Sequence, residues 1–83
     1  MKRKEIIEKL KVDNKYLIIR KDHIVREIKI LRVYPVADDI FYQIKFINEN
    51  LYPLGHTQWK NLEFFENLLG LELLQESENK KRM

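Results

Sequence analysis

Histidines and paired carboxylates are the groups in this chain whose types could do acid–base or metal chemistry. The two histidines are His23 and His56. His23 stands beside Asp22 at a turn signal, where solvated surface is expected; His56 precedes Trp59 closely enough for a structural role beside the indole. Together with Asp38 and Asp39 they could form a metal site, but nothing in their spacing requires one. Asp38-Asp39 has the composition of a carboxylate pair used in general acid–base or metal-assisted chemistry. Adjacent residues on a strand or turn point in different directions, so turn polarity is the expected role. Cysteine is absent, which removes thiol nucleophiles, thiolate zinc sites and disulfides. No dinucleotide, P-loop, zinc-protease, nucleophile-elbow or EF-hand pattern occurs, and two glycines leave little from which to build a phosphate-cradling loop. The expectation is a non-catalytic protein with no catalytic, cofactor-binding or metal-ligating residue.

Cations interleaved with rings are a second kind of chemistry. Arg20, Lys21, Arg26, Lys29, Arg32 and Lys45 lie among Tyr16, Tyr34, Phe41 and Tyr42. Phosphate-pairing cations beside stacking rings are what single-strand nucleic-acid binders use. Arg20, Lys21, Arg26, Lys29 and Arg32 are the candidates for this. The competing expectation is a solvated sheet face, with Tyr42 in the core and aliphatic lysine and arginine stems over apolar neighbours. The net charge of +3 is uneven: residues 1–32 hold eleven Lys/Arg against five Asp/Glu, and residues 33–83 hold five against eight. Such polarity suits an acidic partner or a head-to-tail copy of the same chain.

These residues must be positioned by short elements. At 83 residues one domain over 1–83 is expected, and a domain of that size buries about 60 to 65% of its unfolded surface, so association with another chain would help it. Arg3 to Lys11 has Ile6, Ile7 and Leu10 at helical spacing. Two β-branched runs follow at about 15–20 and 23–34, with Lys21-Asp22 as the turn. Ile40 to Ile47 alternates as a strand, with Ile40, Tyr42, Ile44 and Phe46 on one face and Phe41, Gln43, Lys45 and Ile47 on the other. With Val36 to Asp39 as the loop, Ile30 falls opposite Ile44 and Ile28 opposite Phe46. Asn48 to Asn50 is a turn signal, and Leu51 to Leu54 reads as a short edge strand. A helix then starts at Gln58 with Thr57 as its N-cap and stops or kinks at Gly70; if it stops, 71–77 is a second short helix. Residues 78–83 are a frayed charged tail. The fold class is α+β: a short helix, a curled antiparallel meander of three to four strands and a C-terminal helix packed on it.

Asn61 to Leu74 (NLEFFENLLGLELL) carries more apolar groups than one helix face can bury. At about 100° per residue, Trp59, Leu62, Phe65, Leu69 and Leu73 form a stripe for the sheet, while Phe64, Leu68 and Leu71 point the other way. Leu31, Val33, Phe41 and Ile47 form a similar excess behind the sheet's core row. Exposed apolar groups of this kind mark interaction surfaces. Phe64, Leu68 and Leu71 are therefore expected to form a homodimer contact or, if Gly70 breaks the helix, to be covered within the chain by Leu71 to Leu74 folding back on Phe64 and Leu68; Phe41, Ile47 and Lys45 are the next candidate protein-binding surface.

The IKFINENLYPLG segment, a strand, a polar turn and a short strand ending in glycine, resembles hairpins of SH3-like and Tudor-like small barrels. The helix–meander–helix order resembles, in outline, small phage-encoded inhibitors of host defence, including anti-CRISPR proteins; it implies an inhibitor or accessory factor acting on a macromolecular partner. No cofactor is expected. The start of the chain, MKRK, lacks the apolar run of a signal peptide, and no stretch approaches the roughly 18 apolar residues of a membrane span. A cytoplasmic protein that does not enter membranes is expected, acting through protein contacts or, alternatively, through nucleic acid.

Overall fold

The first helix is laid down by its isoleucines. In the computed structural model, which describes residues 1–47 and 57–76, α1 spans Arg3–Lys9. The Glu5 carboxylate accepts the Lys2 amide hydrogen at 3.3 Å, satisfying one donor that a helix start leaves over. Ile6 and, just past the end, Leu10 are buried, whereas Ile7 is 43% exposed. Asp13 then takes a left-handed backbone (φ 71°), turning the chain into the sheet. Asn14 and Tyr16 fix this corner. The Tyr16 hydroxyl accepts the Lys11 backbone amide at 2.8 Å and the Asn14 side-chain amide at 3.3 Å, and donates to the Lys9 carbonyl at 2.5 Å. A ring expected among surface cations is thus wholly in the core.

Among the described residues five strands follow: β1 (Lys15–Ile19), β2 (Val25–Val36), β3 (Asp39–Ile47), β4 (Thr57–Asn61) and β5 (Gly70–Gln75). They form one open antiparallel sheet in the order β4-β3-β2-β1-β5. A second helix, α2, spans Leu62–Glu66. His23 sits at the β1–β2 turn with φ 67°, where the Asp22 carboxylate accepts the Ile24 amide at 3.1 Å. Its exposed, turn-forming position is the one its neighbours imply.

Ile30 pairs with Ile44 and Ile28 with Phe46, the register the alternation of 40–47 requires. The loop, however, is shorter than the one expected: Val36 pairs with Asp39, leaving Ala37 and Asp38 as the turn. Both hold because the register shifts between Ile30 and Arg32, with Leu31 as the extra residue of a bulge. The bulge also reverses the alternation of β2. Val33, expected behind the core row, therefore packs against the core.

The C-terminal half departs most from expectation. Residues 57–61 are a strand, not the start of a helix, because β3 offers an edge and Trp59 pairs with Gln43 across it. The helix begins four residues later, at its own cap: the Asn61 side chain accepts the Phe64 amide at 3.3 Å. After five residues it ends, and 70–75 pairs with β1 as β5. Gly70 permits that pairing by close approach, since a Cβ there would stand 3.0 Å from Ile19 Cδ1. The expected strand at 51–54, the turn at 48–50, His56 and the 78–83 tail lie outside the described residues.

The connection from β4 to β5 shows that the sheet must curl. Asn61 lies in the Tyr34–Phe41 row and Gly70 in the Val25–Ile19 row, so a flat sheet would separate them by about 19 Å across the strands, four spacings, and by about 27 Å along them. Between them the helix supplies about 6 Å and five extended steps about 17 Å at full stretch. The edges can be joined only if they bend toward each other, with the helices in the hollow. There Tyr42 meets Phe65 edge-on at 5.3 Å, and Phe64 meets Phe65 at 5.0 Å. Ile6, Ile18, Ile28, Ile30, Ile44 and Leu62 complete the deepest layer.

Candidate nucleic-acid interface

Alternation along the strands sorts the side chains to two faces. Tyr16, Ile18, Ile28, Ile30, Tyr42 and Ile44 turn toward the helices and are buried. Their neighbours make the other face, which carries no helix among the described residues. Because directly paired residues share a face, the strand register maps this open side row by row. In the first row Glu72, Leu17, Glu27 and Ile47 stand across β5, β1, β2 and β3. The next holds Gln75, Lys15, Lys29, Lys45 and Thr57. Beyond the bulge come Arg32, Gln43 and Trp59, and then Tyr34, Phe41 and Asn61. Acids, lysines and rings therefore follow one another along the strand direction.

Arg32, Lys45, Tyr34 and Trp59 are exposed, Tyr34 to 63% and Trp59 to 48%. The salt bridges among the described residues, Arg3 with Glu66 and Arg20 with Asp22, lie elsewhere. At the β4 edge a shallow depression runs from Phe41 and Trp59 on the open face to Lys60 and Phe64 on the helix side. The Lys60 ammonium there lies 4.9 Å from the Phe64 ring centre.

The expected site residues divide. Lys29 and Arg32 are on the open face. Arg26 pairs with Ile18 and so belongs to the helix side. Arg20 and Lys21 border a separate depression of about 280 Å³ with Asp22, Phe64, Asn67 and Leu68. Phe41, Ile47 and Lys45, expected to form a protein-binding surface, share the open face with Lys29 and Arg32. Lys15, Tyr34 and Trp59 complete it without having been picked out as one site; only strand register could have gathered them.

The stripe expected to carry self-association is reversed. Leu68 and Leu71 are 6% and 4% exposed and sit in the core, and Phe64 packs against it. Trp59, Leu69 and Leu73, expected to be buried, are 48%, 56% and 40% exposed. The two stripes presuppose a helix through residues 59–73, of which only 62–66 are helical; Leu62 and Phe65, inside that span, are buried as expected.

Asp38 and Asp39 do not converge. The Asp39 carboxylate accepts the Ile40 amide at 2.8 Å, the Leu62 amide at 3.3 Å and the Asn61 side-chain amide at 3.2 Å. These bonds, that from Ile40 foremost, hold its pKa below the ordinary value. They tie the β2–β3 turn to the start of α2. The Asp38 carbonyl accepts from Arg3 at 3.3 Å. Burial, with smaller contributions from Tyr16 and Asp39, raises the Tyr42 pKa. Among the described residues no three histidine or carboxylate groups gather as metal ligands, and no helix is long and apolar enough to cross a membrane. No protein-family model, curated protein or solved structure matches the chain.

Proposed function

We propose that the protein is a non-catalytic binding module whose ligand is nucleic acid, held on the open face of the sheet. The observation that carries this reading is the juxtaposition, by strand register, of Lys15, Lys29, Lys45 and Arg32 with the exposed rings of Tyr34 and Trp59. Cations supply attraction to phosphate, and rings supply faces on which bases stack. The non-catalytic part is supported by Asp39, whose carboxylate is occupied in tying the β2–β3 turn to the start of α2. A mobility shift with labelled single- and double-stranded oligonucleotides at two salt concentrations tests it. Low-micromolar or tighter binding that weakens steeply with salt is expected, because each neutralised phosphate releases counterions. Absence of binding at about 50 mM salt contradicts the reading.

A protein-binding role, with self-association and an inhibitory or accessory effect on the partner, is the second reading. It is favoured by Leu69, Leu73 and Leu74, which are 56%, 40% and 47% exposed at the edge formed by β5. Edge strands are common sites of strand addition. Sedimentation at several concentrations tests it; a monomer throughout removes the homodimer.

A further inference from the structure

Lys15 stands directly opposite Lys29, and Lys29 directly opposite Lys45. Like charges placed opposite each other destabilise a sheet. The chain nevertheless keeps three in line across β1, β2 and β3, while Glu27 and Glu72 lie one row away beside Leu17. Alternating these signs within the rows would have relieved the repulsion. We infer that this lysine row is the phosphate track of the proposed site, that the Arg32–Gln43–Trp59 and Tyr34–Phe41 rows are its base shelf, and that the ligand is a single strand crossing the sheet perpendicular to the β-strands. The inference rests on the nucleic-acid reading above and gives it a path and a strandedness.

The path follows from the order of rows. A backbone displaced toward the β1–β2 turn would meet Glu27 and Glu72, and one displaced the other way would lie over the rings. Phosphates on the lysine row avoid both. The outer two lysines are about 10 Å apart, two strand spacings, and the Arg32–Trp59 row lies about 7 Å away along β3. Bases extending from the track in that direction reach Trp59 first and Tyr34 next. The site is short, on the order of four nucleotides. A duplex fits poorly, since its bases already stack on one another and offer no faces to rings lying on a sheet.

Trp59 is the chain's single tryptophan, so its fluorescence reads the base shelf directly. Oligothymidylates of two to eight nucleotides, a duplex of matched length and inorganic polyphosphate are titrated into the full chain, the Lys29→Gln and Lys45→Gln variants, and Lys21→Gln as a control off the face. The single strands should quench Trp59, with affinity levelling off near four nucleotides, and the duplex should bind more weakly. Polyphosphate should bind without changing the fluorescence. Each row variant should reduce the slope of log affinity against log salt by about 0.7, the value for one phosphate contact on a single strand; Lys21→Gln should not. Removing a lysine from the row should also raise the thermal midpoint of the unliganded protein at low salt, by about 2 °C, a gain that a lysine serving stability would not give. Oligonucleotide binding with unchanged slopes in both row variants, or with Trp59 silent, overturns this inference and leaves the broader reading standing. A duplex that binds as well as the single strand, or a midpoint that falls in the row variants, also overturns it. If no oligonucleotide binds, both fail.

Discussion

On β2 and β3, Ile28, Ile30, Tyr42 and Ile44 turn toward the helices, while their chain neighbours Glu27, Lys29, Gln43 and Lys45 turn away. The helix-side face is fixed by exclusion of water: its large side chains meet one another and the Phe65 ring, and the buried polar corner of Asn14 with Tyr16 is hydrogen-bonded. The open face answers to weaker folding constraints. A row of opposed lysines and two exposed rings do nothing for burial, and the lysines work against the sheet. Folding thus accounts for one set of alternate residues, and on the proposed function nucleic-acid binding accounts for the composition of the other.

Substitutions on the two faces should differ accordingly. Phe65→Ala, at a fully buried ring in contact with Tyr42 and Phe64, should cost about 3 to 5 kcal/mol and leave little cooperative unfolding by urea. A loss below 1 kcal/mol would show that the helix side is not the core. Tyr16→Phe keeps the ring but leaves the Lys11 amide without its acceptor. That should cost about 1 to 3 kcal/mol in the same measurement. Trp59→Ala removes a ring that is about half exposed, so its effect on stability should be on the order of 1 kcal/mol, while oligonucleotide binding falls sharply. A collapse of stability like that of Phe65→Ala would put Trp59 back in the core.

The smallest expected effect is that of Asp39, whose carboxylate is screened by solvent. Its folded-state pKa lies below the ordinary 3.8, so its contribution is present above that value and is lost as pH falls through the folded-state pKa. The wild-type thermal midpoint should therefore fall more steeply below about pH 4 than that of Asp39→Asn. Parallel profiles would mean that the bonds from Ile40, Asn61 and Leu62 do not depend on the charge.

Much of the first half of the fold was legible because β-branched alternation is a local signal. The run from Ile40 to Ile47 revealed both its faces and its pairing with Ile28 and Ile30. The Leu31 bulge was not legible, since one extra residue changes no composition, and it moved Val33 to the opposite face. The second half was not legible because NLEFFENLLGLELL has strong helical propensity, while the free edges of β3 and β1 draw 57–61 and 70–75 into strands. Tertiary pairing overrode local preference there. One local clue stood in the sequence: Asn61, three residues before Phe64, is a better N-cap than Thr57. Of the candidate site, Lys29, Arg32, Lys45 and Phe41 could be picked out by type. That they share a face with Lys15, Tyr34 and Trp59 depended on register, which spans residues 15 to 61 and includes a bulge.

If the open face of the sheet is the binding face, amide chemical-shift mapping with a short oligothymidylate will locate the ligand there. The amides of Lys29, Arg32, Gln43, Lys45 and Trp59 should shift together with added ligand, along with the indole N–H of Trp59, while those of Ile6, Leu62 and Phe65 stay in place. Shifts confined to Arg20–Asp22 and the Phe64 depression, or to α1, would contradict it.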